Sequence, residues 1–214
     1  MKMYDNKIKV LLVDDHAMVC KGVRSMLGTD DTIEVLAEAA TAHEALRACA
    51  GQDFDVALVD IGLPGRSGLE LLKQLRAEYP KLAVLMLSMY SEEIYAVRAI
   101  KYGAVGYLTK NCSADTMVAA VRKAAAGGKH VSPILAEYLM NIMGGFSNSF
   151  EALSDRELEV LKLLASGASL VKIADTLSVS ASTITTYRSR IFQKTGMKSN
   201  VELARYALEK GLVM

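Results

Sequence analysis

Short apolar runs and polar punctuation alternate along the first 126 residues. Runs at residues 8–13, 33–37, 55–60, 82–87 and 105–108 are too short for ordinary helices and are bounded by turn residues. They predict strands buried on both faces, as in a parallel sheet. Between them, apolar positions recur every three or four residues: Val19, Val23, Met26 and Leu27; Ala45, Leu46 and Cys49; Leu69, Leu72 and Leu75. Residues 92–101 and 113–126 continue that spacing, and Gly28, Gly51, Pro80 and Gly127-Gly128 close four of the five predicted helices. Five strands alternating with five helices predict an α/β, doubly wound (βα)5 unit around a five-stranded parallel sheet.

The pattern changes after residue 126. Residues 127–150 hold one predicted helix, 132–143, with Pro133 in its first turn and an apolar stripe of Ile134, Leu135, Tyr138, Leu139 and Met143. Gly144-Gly145 and Ser147-Asn148-Ser149 then break it, which reads as a linker. The stripe is expected to pack on one domain or on a second copy of the chain. A domain boundary is expected near Phe150. In 151–214 only helical spacing remains. Ser154 and Glu157 form a capping box ahead of Leu158, Leu161, Leu164 and Ala165, and Gly167 ends that helix. A short helix with Ile173, Ala174 and Leu177 inward follows, then the turn Ser178-Val179-Ser180 and a helix over 181–194. Ser199 and Glu202 predict a second capping box for a final helix through Lys210. Four short helices with a tight turn between the second and third predict an all-α helix-turn-helix module.

The chemistry suggested by the first unit sits at strand exits. Asp14 and Asp15 follow the first strand, Asp60 ends the third, Ser88 the fourth, and Lys110 comes just after the fifth. Open α/β sheets gather such ends on one rim. Taken singly, each is better read as a turn, a cap or a surface charge. Five of them, each directly after an apolar run, make a site the better reading. Three neighbouring carboxylates call for a compensating hard cation, and oxygen ligands suit Mg²⁺. Asp60 could then attack phosphorus to form an aspartyl-phosphate, with Lys110 and Ser88 on the phosphoryl oxygens. Neither Gly-x-x-x-x-Gly-Lys nor Gly-x-Gly-x-x-Gly occurs nearby to suggest a nucleotide instead.

Charge adds one point for the second unit. The chain's formal net charge is only +1, but no acidic residue occurs from Thr176 to Val201, where Arg188, Arg190, Lys194 and Lys198 fall. On the 181–194 helix, Ile184, Tyr187 and Ile191 share an apolar face. The other face carries Ser182, Thr185, Thr186, Ser189 and Gln193. Small polar side chains with basic edges suit the major groove of double-stranded DNA. Cys20, Cys49 and Cys112 are odd in number and widely spaced, so neither a disulfide framework nor a zinc site is expected. The first seven residues lack a signal-peptide core and no stretch approaches a membrane span of roughly 18–20 apolar residues. The expectation is a soluble, cytoplasmic protein without a membrane partner.

Two resemblances sharpen these readings. Residues 8–126 resemble a receiver domain of two-component signalling, through Val13-Asp14-Asp15-His16, Asp60-Ile61-Gly62-Leu63-Pro64-Gly65 with Gly68, Ser88, and Gly103-Ala104-Val105-Gly106-Tyr107-Leu108-Thr109-Lys110. The resemblance implies phosphorylation of Asp60 by a histidine kinase. It implies Mg²⁺ on Asp15, Asp60 and the Gly62 carbonyl, with Asp14 orienting water or metal. Ser88 and Tyr107 become the expected switch pair, drawn inward by the phosphate. Asn111 stands where the family commonly has proline, so a trans peptide is expected there. Residues 153–211 resemble the LuxR-type helix-turn-helix domain, through Leu153-Ser154, Arg156-Glu157, Glu159-Val160-Leu161, Gly167, Ile173-Ala174, Leu177, Ser180, Thr183-Ile184 and Lys194. Together these imply a NarL/FixJ-class response regulator with domains at 1–126 and 151–214 joined by a 127–150 linker, binding DNA as a homodimer.

The resemblance places base contacts at Thr185, Thr186 and Ser189, with Ser182, Arg188, Arg190, Gln193, Lys194 and Lys198 around them. Thr185 stands where relatives commonly have lysine, and Leu170-Val171-Lys172 replaces an Asn-Lys-Glu run. Site preference is therefore this chain's own, and phosphate contacts are expected to shift towards Lys172, Arg188 and Arg190. Two other functions compete: an aspartyl-phosphate phosphatase, and a phosphorelay module whose C-terminal helices bind protein. Gly62 lies two residues past Asp60, where such a phosphatase would place its general acid. A regulator rather than an enzyme is the expectation.

Overall fold

The structure is a computed structural model and describes residues 7–90, 92–143, 152–209 and 212–213. The chain divides into two compact units, Met1–Glu137 and Tyr138–Met214. The boundary expected near Phe150 and the 144–149 stretch expected to break the helix lie outside the described residues, as do residues 1–6.

The first unit alternates β1 (Ile8–Val13), α1 (Ala17–Leu27), β2 (Ile33–Ala39), α2 (Ala42–Gly51), β3 (Val56–Asp60), α3 (Gly68–Glu78), β4 (Ala83–Ser88), α4 (Glu92–Lys101), β5 (Gly106–Thr109) and α5 (Ala114–Ala125). All strand pairs are parallel, in the order β2-β1-β3-β4-β5. The chain moves outward from β1 to β2 and then returns to β3 on the other side. The topological switch point therefore lies between β1 and β3, where sheets of this kind open a crevice at their carboxyl ends.

Both faces of the sheet are covered, which is why its strands read as unbroken apolar runs. Val10, Leu12, Val56, Leu58, Leu85 and Leu87 pack with Cys20, Val23 and Leu27 of α1 and Met117, Ala120 and Val121 of α5. The alternate strand residues Leu11, Ala57, Val59, Val84 and Met86 are also buried, on the side of α2, α3 and α4. β2 runs two residues beyond the sequence-based expectation, because Ala39 still pairs with Val13 after a register shift at Val10/Leu11. One edge contact had no local signal. Gly106 of β5 bridges in parallel to His130, whose N–H donates to the Val105 carbonyl at 2.7 Å. A Cβ at position 106 would come within 2.5 Å of the His130 carbonyl oxygen, so this approach requires glycine.

α6 (Pro133–Met143) crosses the division between the units. Ser132 accepts the Leu135 N–H at 3.0 Å, and its hydroxyl donates to the Glu92 carboxylate at the start of α4. The expected apolar stripe is split: Leu135 is buried, Leu139 half-buried, and Ile134 exposed.

The second unit contains α7 (Asp155–Ala165), α8 (Leu170–Thr176), α9 (Ala181–Thr195) and α10 (Asn200–Glu209). Leu158, Leu161, Leu164, Ile173, Ala174, Ile184, Ile191, Leu203 and Ala207 form its core. The Ser154–Glu157 capping box is present in both directions. The second one is only half formed. Glu202 N–H donates to Ser199 Oγ at 3.2 Å, but the Glu202 carboxylate takes the N–H of Lys198 rather than that of Ser199. Ser178 adopts φ 52° in the α8–α9 turn, and Gly196 ends α9 at φ 74°. Lys210, the predicted end of the last helix, lies outside the described residues. Among the described residues no helix is long and apolar enough to cross a membrane, and no peptide, including that before Asn111, is cis.

Candidate functional site

Register brings the carboxylates together. Val13 of β1 pairs with Val59 of β3, so the next residues, Asp14 and Asp60, emerge side by side at the switch point. Asp14 is anchored by its N–H to the Ala39 carbonyl at 3.0 Å. Asp60 is fixed from below by α3: Gly68 N–H donates to Ile61 O at 3.0 Å, and a Cβ on Gly68 would lie 1.8 Å from Asp60 O. Ser67 caps α3 by accepting the Leu69 N–H. The intervening loop turns at Gly65, φ 75°. The Gly62 backbone N–H bonds the Asp60 carboxylate.

Lys110 closes the site. Its N–H donates to Ser88 O at 2.8 Å, and its Nζ stands 2.6 Å from Asp14 Oδ2 and 2.9 Å from Asp60 Oδ2. All three side chains are buried, Asp60 being 4% exposed. Burial pushes the Asp60 carboxyl up from its ordinary pKa, partly countered by Lys110, while the Asp14 charge adds to the rise. For Lys110, burial acts downward, but the two carboxylates outweigh it and hold the ammonium above its usual range.

Oxygens of Asp14, Asp15 and Asp60 and a ring nitrogen of His16 lie within 4.8 Å of one another. Asp14 Oδ2 is buried without a hydrogen bond among the described residues; its 2.6 Å approach to Lys110 is an ion pair lacking hydrogen-bond alignment. A buried anionic oxygen in that condition, in a mainly carboxylate donor set, fits a hard divalent cation. His16 stood in the Val13-Asp14-Asp15-His16 motif without an assigned role. Its Nδ1 lies 2.8 Å from Asp15 Oδ1 and 3.1 Å from Asp14 Oδ1, and its N–H also bonds Asp14. Its signal was its place third in a polar run directly after β1.

Ser88 and Tyr107 share a backbone partner that sequence did not assign. Ser88 Oγ accepts the Tyr90 N–H at 3.1 Å, and the Tyr107 hydroxyl donates to Tyr90 O at 2.9 Å. The Tyr90 backbone thus joins the two side chains across β4 and β5. Burial pushes the Tyr107 phenol well up. Tyr107 is 1% exposed with its hydroxyl bonded, so the structure holds this ring in the inward position.

In the second unit, Ser182, Thr185, Thr186, Ser189, Arg190 and Gln193 are exposed along α9. Three hydroxyls turn back on the helix: Thr185 Oγ1 to Ala181 O at 3.0 Å, Thr186 Oγ1 to Ser182 O at 3.1 Å and Ser189 Oγ to Thr185 O at 3.1 Å. Tyr187, expected in the core, is half-buried and lines a shallow depression with Ser182, Thr183, Thr186 and Arg190. The cations differ in availability. Arg188 donates Nε to Asn200 Oδ1 at 3.2 Å and leans over the Phe192 ring. Lys194 Nζ is 2.6 Å from buried Glu157 Oε2, so it ties α9 to α7. Arg190, Lys198 and Lys172 are exposed.

Two families match this chain. The response regulator receiver domain covers residues 10–122, and the bacterial regulatory proteins of the luxR family cover residues 151–207. Among similar proteins, the response regulator GacA of Pseudomonas syringae pv. syringae (strain B728a) is 35% identical over 209 residues, 96% of this chain and 98% of the relative. The transcriptional regulatory protein UhpA of Escherichia coli (strain K12) is 37% identical over 199 residues, 92% of this chain and 96% of the relative. RcsB from Salmonella enterica serovar Typhimurium, solved bound to promoter rprA in the presence of phosphomimetic BeF3-, has the same fold. Its TM-score is 0.72 at 24% identity, covering 94% of this chain and 98% of that one. With a parallel (βα)5 unit carrying a carboxylate–lysine site, followed in the chain by an all-helical unit, the chain belongs to the NarL/FixJ-type response regulators, which join a receiver domain to a LuxR-type DNA-binding domain.

Proposed function

We propose that Asp60 accepts a phosphoryl group from a histidine kinase and that this event controls DNA binding by α9. The observation that carries the reading is the buried triad of Asp14, Asp60 and Lys110 at the switch point, with Lys110 Nζ within 2.9 Å of both carboxylates. An Asp60 oxygen attacks the phosphorus of a phosphohistidine, the new O–P bond forms as the N–P bond breaks, and the imidazole nitrogen takes up a proton. Lys110 moves from bridging two carboxylates to neutralising phosphoryl oxygens, and the buried Ser88 hydroxyl becomes a donor to them.

Asp15, Asp60 and the Gly62 carbonyl, with Asp14, are the groups to hold Mg²⁺. The ion would supply charge neutralisation at the phosphoryl oxygens. His16, now paired with Asp15 and Asp14, would turn aside for it. With Tyr107 inward, phosphorylation acts by drawing the Ser88 hydroxyl towards the phosphoryl oxygens as a donor, which shifts its oxygen away from the Tyr90 N–H that it now accepts. Breaking that bond frees the Tyr90 backbone that Tyr107 holds, and with it the start of α4. The domains are 1–126 and 151–214 with 127–150 as linker, the regulator works in the cytoplasm, and it binds duplex DNA as a homodimer on a two-fold site.

Label transfer tests the phosphoacceptor. Incubation with ³²P-acetyl phosphate and Mg²⁺ labels the wild-type chain and not Asp60→Asn. Label persisting on the variant would sink the assignment.

A further inference from the structure

The three hydroxyls on the α9 polar face share one arrangement. Each of Thr185, Thr186 and Ser189 donates its single hydroxyl hydrogen to the carbonyl four residues earlier, at 3.0–3.1 Å. A hydroxyl has one donor and two acceptor lone pairs. With the donor committed to the helix, each oxygen can offer a base only an acceptor, and each threonine adds a methyl group on the same Cβ.

Base pairs answer this pairing unequally. In the major groove an A·T pair presents one amino donor, two acceptors (adenine N7 and thymine O4) and the thymine methyl. A G·C pair also presents one amino donor and two acceptors but no methyl, so the threonine methyls decide between them. Two of the long cations of α9 that could read guanine are occupied: Arg188 is bonded to Asn200 and Lys194 is paired with Glu157. Arg190 lines a depression with Thr186 and Tyr187. Gln193, one turn beyond Ser189 on the exposed face, is of the type that reads adenine N6 and N7 together.

We infer that α9 reads A·T base pairs, with the methyls of Thr185 and Thr186 against thymine methyls and their hydroxyl oxygens accepting from adenine N6. This rests on the reading of α9 as the DNA-contacting helix. Arg190 serves the phosphates and carries no base preference.

The test starts with the full-length chain, treated with acetyl phosphate and Mg²⁺, selecting duplexes from a random pool. Dissociation constants are then measured for the selected duplex and for versions with deoxyuridine in place of each half-site thymine. Wild type, Thr185→Ser and Thr186→Ser are compared. The inference predicts an A·T core. It also predicts a loss of about fourfold for each contacted thymine methyl removed. That penalty disappears in the serine variant that lacks the partner methyl. A G·C core, indifference to uracil, or a penalty kept in both serine variants overturns it and leaves the DNA-binding reading standing. A pool with no duplex enriched overturns both readings together.

Discussion

A Cβ at position 68 would lie 1.8 Å from the carbonyl oxygen of Asp60 and 2.9 Å from Ile61 Cα. Both neighbours are backbone, so neither can rotate away. Gly68→Ala must therefore shift either α3 or the Asp60 peptide. The expected cost is about 3 kcal/mol, at the upper end for overpacking, read as a lower urea midpoint. Slower labelling by acetyl phosphate is expected in the same variant, because Asp60 itself moves. Unchanged stability would show that α3 does not fix Asp60 in the manner described. Asp60's place at the end of a buried strand was legible in sequence, because an apolar run followed by a turn is a local signal. The roles of Tyr90 and His16 were not. Tyr90 acts through its backbone, which has no residue-type signature, and His16 pairs with two carboxylates that are brought together only by the β1–β3 register.

Elements add a second kind of constraint, visible where Glu157 joins α7 to α9. Its carboxylate accepts from Ser154 N–H at 2.7 Å and from Lys194 Nζ at 2.6 Å. Burial works against its ionised form, but Lys194 and the Ser154 contacts prevail and hold its pKa below the usual range. A depressed carboxylate contributes stability above the unfolded value, about 4.3 for glutamate, and loses it as pH falls through the lower folded value. Wild-type helical signal from the second unit should therefore weaken over that interval. In Glu157→Gln the unfolding midpoint should be lower at neutral pH and flatter across the same interval. An unchanged acid dependence would remove this pair from the account. The Ser154–Glu157 box was legible from a three-residue spacing, whereas its partnership with Lys194 spans 37 positions and left no trace in the pattern. Strands and helices were legible for the same reason as the box: they rest on local periodicity. The longer β2 and the His130 bridge depend on distant partners and were not.

For the whole molecule, the same ion pair separates the cations of α9 into two kinds. Both Arg190 and Lys194 are exposed, but Lys194 Nζ is paired with the buried Glu157 carboxylate, which leaves Arg190 the better suited to phosphate. Arg190→Ala should weaken DNA binding evenly across sequences and lower the slope of log affinity against log salt by about 1. Lys194→Ala should chiefly lower thermal stability and leave that slope nearly intact. Equal slope changes in both would return Lys194 to the DNA surface. The account's central claim is that a covalent event on Asp60 governs what α9 does. Its most direct test is the affinity of the full-length chain for a selected duplex, with and without acetyl phosphate and Mg²⁺, in wild type and in Asp60→Asn. The predicted result is a change of affinity in wild type and none in the variant. An equal change in both would contradict it.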